Sequence, residues 1–374
     1  MTSQLLWIGL GNMGRGMVKN LVEKGNLEKP LILYNRTRKR SEELAAKLPE
    51  GKTEIADSLE EGIKKADIVF TIVSNDAAVQ SIFQDLLKGD IAGKLFVECS
   101  TISPDVTEEM AKSVTDKNGQ FVASPVFGAP AAAEAGQLIF VPAGPKSSID
   151  RLRPFIKGVM GKAEIPFEDQ PYGNSLKLKL VGNSFILNMV TMLSEGLTLA
   201  EKSGIGTDPV KQLMDTLFDG VYSLYAERMI KGTYWKMEEP LFSANNARKD
   251  AGHAMNLAKA AGADLKTIRV ADDYLKSVAE HAGGDKGDIA GIYGAARKSA
   301  GLKYSVFVGL AVVAAMCVAA WFLSPKGENQ TTFRSSLILA FISCYLMWFV
   351  TFMAQLHPLI EPRRSNIREG FQNE

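Results

Sequence analysis

Lys179 and Asn183 lie four residues apart in an apolar segment whose spacing is typical of a helix. Side chains four positions apart share one face of a helix, so the ammonium and the amide would point in the same direction. Such a lysine can exchange the proton of a hydroxyl or carbonyl group without a metal ion, while a bound cofactor gives or takes a hydride. Taken alone, however, Lys179 fits a surface lysine better than a catalytic one.

A glycine triplet near the N-terminus could hold that cofactor. It has the spacing Gly-x-Gly-x-x-Gly, follows the apolar run Leu5–Ile8 and precedes a helical pattern. The first glycine allows a tight turn, the second lets the backbone approach a pyrophosphate, and the third lets helix and strand pack closely. The helix N-terminus adds free amide groups and a partial positive charge. We predict a dinucleotide-binding turn, and the alternative is a glycine turn without a ligand. The residues of this turn are Gly9, Leu10, Gly11, Asn12, Met13 and Gly14.

The residues after the second predicted strand indicate which dinucleotide would bind. An NAD site commonly has Asp or Glu about 20 residues after the glycine triplet, where it accepts hydrogen bonds from the ribose. This chain has Asn35, Arg36 and Thr37 there. A carboxylate would repel a 2′-phosphate, whereas Arg36 and Thr37 can bind one. We therefore predict NADP in preference to NAD. The alternative is that these basic residues form the solvated start of a helix.

Other kinds of site are not expected from the composition. Three cysteines and three histidines are far apart, so we expect no disulfide framework and no metal site. The chain has 43 basic and 42 acidic residues, and this balance argues against nucleic acid as a partner. The N-terminus has no basic region before its apolar run, so we expect no signal peptide.

The elements that must position these residues alternate between strand and helix up to residue 166. This alternation predicts an α/β domain over residues 1–166, with a parallel sheet covered by helices on both faces. The predicted strands are Leu5–Ile8, Leu31–Tyr34, Ile68–Val73, Leu95–Glu98, Phe121–Val122 and Leu138–Val141. Residues 167–298 lack a convincing strand and are predicted to form an all-α domain that carries Lys179. Its helical patterns are Ser175–Ser203, Pro209–Asp219, Ala247–Ala261 and Leu265–Glu280.

Residues 303–374 have a different composition. Tyr304–Ser324 and Ser335–Ile360 lack formally charged side chains, and the segment Pro325–Arg334 between them is polar. A membrane-spanning helix requires about 20 apolar residues. We therefore predict a two-helix transmembrane hairpin. The alternative is a pair of buried helices of the preceding domain.

Residues 1–297 resemble the β-hydroxyacid dehydrogenase family, which includes 3-hydroxyisobutyrate dehydrogenases and NADPH-dependent glyoxylate/succinic semialdehyde reductases. Beside the glycine turn, the resemblance rests on Glu98–Pro104, Gly173–Asn183, Phe242, Lys249, Asp250 and Gly283–Asp288. It implies a Rossmann domain followed by an all-α domain, and a homo-oligomer. It further implies an NADP-dependent oxidoreductase that transfers hydride between the nicotinamide and a small β-hydroxy acid or the matching semialdehyde.

The resemblance also implies roles for individual residues. Lys179 would be the general acid or base, and Asn183 would help to hold the substrate. Residues implied to contact the cofactor, besides the glycine turn and Asn35–Thr37, are Ser74, Asn75, Thr101, Phe242 and Lys249.

The substrate loop departs from the family pattern. The family usually has Asp-Ala-Pro-Val-Ser-Gly-Gly, whereas this chain has Phe127, Gly128 and Ala129 at the last three positions. Those positions normally hydrogen-bond the substrate carboxylate, but a phenyl group cannot donate a hydrogen bond and Ala129 narrows the pocket. The loop therefore allows a substrate other than 3-hydroxyisobutyrate. A non-catalytic member is an alternative, against which the intact Lys179 argues.

Residues 304–371 resemble subunit e of the vacuolar-type proton ATPase (V-ATPase). The resemblance rests on Pro325–Gly327, Tyr345–Trp348, Gln355–Leu359 and Pro362–Ser365. It implies a two-helix membrane subunit with V0-sector partners in a vacuolar or other endomembrane, and a dehydrogenase part in the cytosol. Neither span has Asp, Glu, Lys or Arg, so we expect no direct proton carriage. Two alternatives stay open: a main role as a proton-transport subunit, and two halves joined only by a merged gene model.

Overall fold

The structure is a computed structural model that describes residues 3–302, 305–327 and 329–356 of the chain. Its contacts divide the chain into two compact units, residues 1–296 and 297–374. The motif residues from His357 onward, including Pro362–Ser365, lie outside the described residues.

All six predicted apolar runs form strands, and together with five short strands they build two sheets. The strands are β1 (Leu5–Ile8), β2 (Leu31–Tyr34), β3 (Thr53–Ile55), β4 (Ile68–Thr71), β5 (Leu95–Glu98), β6 (Gln120–Ala123), β7 (Val126–Phe127), β8 (Leu138–Phe140), β9 (Ala143–Gly144), β10 (Gly161–Glu164) and β11 (Phe167–Glu168). The large sheet has the order β11-β9-β6-β5-β4-β1-β2-β3, and the small sheet has the order β10-β8-β7. Because β11 belongs to the large sheet, the sheet extends two residues beyond the predicted boundary at residue 166.

Strands β1 to β6 are parallel, and their order reverses between β1 and β4. Leu6 of β1 lies opposite Ile32 of β2 on one side and opposite Val69 of β4 on the other. The connections after β1 and β4 therefore leave on opposite faces of the sheet, and a crevice forms at the carboxyl ends of these two strands. This is the Rossmann arrangement, and it puts the glycine turn in the crevice.

Both faces of the sheet are buried, which explains why its strands are continuously apolar. Trp7 and Phe70 stack with ring centroids 5.3 Å apart, and the edge of Phe155 meets Phe70 at 6.0 Å. The alternate residues Leu6 and Ile8 belong to the core on the other face. The sheet is therefore held between two separate apolar layers.

Helices cover the sheet and build the helical part of the first unit. Those of the α/β part, residues 3–168, are α1 (Asn12–Lys24), α2 (Arg38–Ala45), α3 (Leu59–Lys65), α4 (Asp76–Leu86), α5 (Pro104–Thr115), α6 (Pro130–Glu134) and α7 (Lys146–Leu152). Those of the helical part, residues 173–296, are α8 (Gly173–Ser203), α9 (Asp208–Leu213), α10 (Gly220–Lys231), α11 (Ala244–Ala260), α12 (Lys266–Ala282) and the beginning of α13 (Ile292–Ser299).

Helix α8 connects the two parts of the first unit. Its first residue, Gly173, donates its backbone N–H to Glu108 of α5 at 2.7 Å. Further along, Leu187, Leu193 and Leu197 are buried in the core of the helical part. The helix is long and apolar enough to cross a membrane, but more than half of its apolar window is buried inside the unit. Helix α8 is therefore a core helix that runs from one part to the other.

The helix predicted over Pro209–Asp219 is present up to Phe218, but it is not a regular α-helix over its whole length. Helix α9 ends at Leu213 and a π-helical segment, Met214–Phe218, follows it. Asp219 and Gly220 then have φ angles of +46° and +52°. Two consecutive residues in the left-handed region interrupt a right-handed helix, so the chain turns there before α10 begins.

The second unit contains two helices, α14 (Ser305–Leu323) and α15 (Gln330–Leu356). They contact each other, and the guanidinium of Arg334 lies 4.7 Å from the ring centroid of Trp321 near the connecting turn. The window Gln330–Thr351 is long and apolar enough to cross a membrane, and none of it is buried. In α14, the stretch Leu310–Leu323 forms a shorter apolar helix. The helix pair is thus present, while its insertion into a membrane stays a prediction.

Candidate active site

The glycine turn follows β1, and its three glycines meet different steric demands. Gly9 has a φ angle of +98°, and a Cβ there would lie 2.1 Å from the carbonyl oxygen of Ile72. A Cβ on Gly14 would lie 2.1 Å from the carbonyl oxygen of Gly9. At Gly11, by contrast, no atom lies within 4 Å of the Cβ position, and no side chain caps the N-terminus of α1. The uncapped amides therefore border open space, which fits the pyrophosphate of a dinucleotide.

The side chains of Trp7 and Asn35 hold this turn through hydrogen bonds to its backbone. The buried indole N–H of Trp7 donates to the carbonyl oxygen of Gly9 at 3.0 Å. The backbone N–H of Leu10 donates to Asn35 Oδ1 at 3.0 Å, and Asn35 Nδ2 donates to the carbonyl oxygen of Thr37 at 3.0 Å. Asn35 thus connects the glycine turn to the loop after β2, a structural use that the motif alone does not reveal.

Arg36 and Thr37 lie on the surface beside that loop. Both side chains are exposed, and Arg36 pairs with no acidic side chain in the described part of the chain. Arg38 differs, because it contacts Glu42 at 2.9 Å and Asp57 at 2.5 Å. Of these two arginines, only Arg36 is left with its charge uncompensated.

The loops after β4 and β5 are fastened to each other. The backbone N–H of Val73 donates to Ser100 Oγ at 2.8 Å, and the N–H of Ser100 donates to Glu98 Oε1 at 2.7 Å. Complete burial raises the pKa of Glu98 to about 8. Ser74 and Asn75 follow Val73 and are exposed, and Asn75 Oδ1 accepts the N–H of Ala78 at 2.9 Å as the N-cap of α4.

Helix α11 reaches these loops from the helical part. Lys249 Nζ donates a hydrogen bond to the backbone carbonyl of Thr101. One turn later, His253 Nε2 lies 3.3 Å from Asp76 Oδ1, at the start of α4. The predicted contact residues Thr101 and Lys249 are therefore brought together, but through the main chain of Thr101 and not through its hydroxyl.

The segment before α11 lies against the glycine turn. Asn12 Nδ2 donates to the carbonyl oxygen of Pro240 at 3.0 Å, and Arg15 contacts Glu239 at 2.6 Å. Phe242 follows this segment, and its backbone N–H donates to Asp288 Oδ2 at 3.3 Å. The helical part thus closes over α1 close to the predicted cofactor turn.

Lys179 and Asn183 lie on one face of α8, and both are buried. Asn183 Nδ2 donates to Asp250 Oδ2 at 2.7 Å, while Lys249 Nζ lies 2.9 Å from Asp250 Oδ1. Asp250 belongs to the motif that carries the family resemblance, but only the structure makes it the shared partner of two predicted site residues. The pairing could not be foreseen, because 67 residues separate Asn183 from Asp250.

Lys179 is 8% exposed, and its surroundings change its acidity. Burial lowers the pKa of the Lys179 ammonium to about 8, although the carboxylate of Asp250 opposes the effect. The neighbouring charge of Lys249 lowers it further. A group with such a pKa carries a mixture of ammonium and amine near neutral pH and can both donate and accept a proton.

In the predicted substrate loop, residues 127–129, Phe127 is the residue that contacts Lys179. The ring centroid of Phe127, at the end of β7, lies 4.5 Å from Lys179 Nζ. Gly128 follows with a φ angle of +137°, and Ala129 then precedes the short helix α6. Gly128 and Ala129 are exposed, and no described contact joins their side chains to Lys179 or Asn183.

The C-terminal segment matches a known protein family, and the first unit has the fold of solved structures. Residues 305–366 match the family model for the H subunit of ATP synthase, which differs from the subunit e that the sequence resemblance implies. The solved structure of Mycobacterium tuberculosis 3-hydroxyisobutyrate dehydrogenase covers 79% of this chain and 100% of its own, with a TM-score of 0.68 and 22% identity. At that identity the likeness shows the fold alone.

Sequence relatives extend this likeness beyond the fold. Residues 4–165 match the family model of the NAD binding domain of 6-phosphogluconate dehydrogenase. An NADH-dependent oxidoreductase of Aspergillus ustus, ucdB, is 37% identical over 294 residues, which are 78% of this chain and 99% of the relative. Glyoxylate/succinic semialdehyde reductase 1 of Arabidopsis thaliana is 29% identical, over 72% of this chain and 90% of its own. The chain therefore belongs, over the region aligned with ucdB, to a family of NAD(P)-dependent oxidoreductases.

Proposed function

We propose that the protein transfers hydride between the nicotinamide of NADP and a small β-hydroxy acid or the matching semialdehyde, with Lys179 as general acid and base. One observation carries this proposal. A buried lysine with a pKa of about 8 lies beside a buried amide–carboxylate pair, on the helix that joins the two parts of the unit. Relatives named for semialdehydes and for 3-hydroxyisobutyrate support the substrate class.

The bound nicotinamide would supply the hydride for reduction or accept it for oxidation. In reduction, the Lys179 ammonium gives a proton to the carbonyl oxygen as hydride adds to the carbonyl carbon, and a neutral amine remains. In oxidation, the amine takes the hydroxyl proton as hydride leaves the same carbon. Asn183 is held by Asp250, so its amide keeps one orientation and can position the substrate oxygen close to Lys179.

The preference for NADP is supported by the surface after β2. Arg36 has no carboxylate partner there, and a guanidinium binds phosphate oxygens well. The glycine turn fits either dinucleotide, and the Aspergillus ustus relative is named for NADH. The choice between NADP and NAD therefore depends on Arg36 and Thr37.

We further propose that the helix pair α14–α15 anchors the protein in an endomembrane, with the dehydrogenase part in the cytosol. Support comes from the unburied apolar window of α15 and from the match of residues 305–366 to the family model for the H subunit of ATP synthase. Membership of a V-ATPase V0 sector, as a subunit e-like component, is a second candidate function on the same observations.

A homo-oligomer of the dehydrogenase part is proposed from the surface of α8. Phe185, Met192 and Leu199 repeat at a spacing of seven and form an exposed apolar stripe along one face. Large exposed apolar patches mark interfaces, and a stripe on one helix can pack against the same stripe of a second copy about a twofold axis.

Light scattering should give a mass of at least two chains for the wild type, and Phe185→Glu should lower this mass, because a charge would interrupt the apolar stripe. A monomeric wild type would contradict the proposal.

Replacing Lys179 tests the catalytic proposal. We expect Lys179→Met to lower kcat for NADPH-dependent reduction of succinic semialdehyde or glyoxylate by at least about 100-fold, because proton transfer is lost. NADPH affinity, measured by fluorescence titration, should change little. Lys177→Met is the matched control, since Lys177 is exposed two positions earlier on the same helix and donates a hydrogen bond to Asn174 at 3.2 Å. Wild-type turnover by Lys179→Met would exclude the proposed role.

Replacing Arg36 tests the cofactor proposal. Arg36→Ala should raise KM for NADPH by about 10- to 100-fold, since a charged hydrogen bond to phosphate contributes about 1.5–3 kcal/mol. KM for NADH should stay the same, because NADH lacks the 2′-phosphate. Arg40→Ala provides the control, as Arg40 is exposed on the same helix start. Equal effects on both cofactors would contradict a phosphate-binding role.

Deleting residues 304–374 tests the membrane proposal. The full chain should stay in the membrane pellet after carbonate washing, as a band near 40.7 kDa, because two apolar helices would insert. The truncated chain should be released into the supernatant and keep its NADPH oxidation. A full-length chain that is washed off the membrane would contradict the anchor, and a smaller soluble band in cells would indicate separate gene products.

A further inference from the structure

Three residues from two elements form a compact group around the Lys179 ammonium. Lys179 Nζ lies 4.5 Å from the ring centroid of Phe127. A Cβ built on Gly182 would lie 2.4 Å from Phe127 Cε1 and 2.5 Å from Phe127 Cζ. Lys179 and Gly182 are three residues apart and therefore neighbours on the surface of α8. The Phe127 ring occupies the space that any other residue at position 182 would fill.

A glycine inside a long helix requires an explanation, because it makes the helix less stable than alanine would. Gly196, on the same helix, has no atom within 4 Å of its Cβ position, so nothing there needs the space. At Gly182 the missing Cβ lets the Phe127 ring approach the helix closely beside the buried ammonium.

The ammonium has few other contacts that could replace its lost hydration. No described residue accepts a hydrogen bond from Lys179 Nζ, and the Phe127 ring is the contact that the structure gives it. The face of an aromatic ring is electron-rich and attracts a cation, most strongly where water is excluded. The ring therefore favours the protonated form of Lys179 and limits the directions in which its side chain can point.

The charged groups near Lys179 come from helix α11. It contributes Asp250, whose carboxylate raises the pKa of Lys179, and Lys249, whose ammonium lowers it. Asp250 already binds Asn183 and contacts Lys249, so its charge is shared. Titratable groups on the other elements that pack against α8 meet it away from Lys179. Among them, Glu108 of α5 contacts α8 at Gly173 and Tyr274 of α12 contacts it at Glu195, while Arg228 of α10 pairs with Asp288.

We propose that Phe127 is a positioning residue for Lys179: its ring, held in the space left by Gly182, keeps the ammonium protonated and directed into the site. The inference rests on the proposed role of Lys179 as general acid and base. It gives Phe127 a role in proton transfer, in addition to its predicted place in the substrate loop.

The pH dependence of carbonyl reduction tests this role. Reduction needs the ammonium, so kcat/KM should fall as pH rises through the pKa of Lys179. Removing the ring while keeping its bulk, as in Phe127→Leu, should move this alkaline limb about 0.5 to 1.5 pH units lower, as expected for loss of a cation–π contact. Phe127→Tyr keeps the ring and should restore the wild-type limb. The assay uses the full chain in detergent, with NADPH and succinic semialdehyde.

Gly182→Ala provides an independent variant, because its Cβ would push the ring away without removing it. It should shift the limb in the same direction as Phe127→Leu. In the double variant the two shifts should not add, since both act through one contact. Gly196→Ala on the same helix should cause no shift. Additive shifts, or a Phe127→Leu limb that coincides with the wild type, would overturn the inference.

Chemical modification of Lys179 measures its pKa without catalytic turnover, so the test also works for variants that are too slow to assay. Acetic anhydride modifies only the neutral amine, so the pH at which Lys179 becomes half-reactive, followed by mass spectrometry, reports its pKa. This pH should be lower in Phe127→Leu than in the wild type. If Lys179→Met is inactive while Phe127→Leu shows no shift in either assay, only this inference fails. If Lys179→Met retains the wild-type limb, the proposed function fails instead.

Discussion

The buried carboxylate of Asp250 is the interaction on which the arrangement of the site depends. A charge removed from water is tolerated only where partners replace its hydration, and here Asn183 of α8 and Lys249 of α11 provide them. Because Lys249 also donates to the carbonyl of Thr101, the same group of residues extends to the loop after β5. One desolvated anion thereby connects the helix that carries Lys179, the helix that closes over the crevice, and the loop at the carboxyl end of the inner strand β5.

Features that depend on local physics could be predicted from the sequence, and features that depend on distant partners could not. The glycine turn, the central strands and the shared face of Lys179 and Asn183 follow from spacing and periodicity. Strand β3 is three residues long and only partly buried, so no apolar run signals it. The partners of Asn183 and Thr101 lie 67 and 148 residues away in the chain. The side chain of Asn75 caps α4, and that of Asn35 connects the glycine turn to the loop after β2. The same side chains were predicted to bind the cofactor, and a sequence motif does not show which of the two roles a side chain has.

Two helices of this chain have similar length and apolar character but different surroundings. Helices α8 and α15 are both long and apolar enough to cross a membrane, yet more than half of the α8 window is packed inside the first unit and none of the α15 window is buried. Composition alone cannot separate a helix that packs against protein from one that exposes its apolar side chains. Only the neighbouring elements, α5, α11 and α12 in the case of α8, distinguish the two.

The hydrogen bond from Trp7 to Gly9 has an optical consequence. Of the two tryptophans in the first unit, Trp7 is fully buried, whereas Trp235 is exposed. An indole in an apolar core emits at shorter wavelength than one in contact with water, so the emission of Trp7 separates from that of Trp235. Its N–H is bonded to the first glycine of the turn, and a shift of that turn changes the surroundings of the emitting ring. The chain therefore carries an intrinsic fluorescent reporter at the base of its glycine turn.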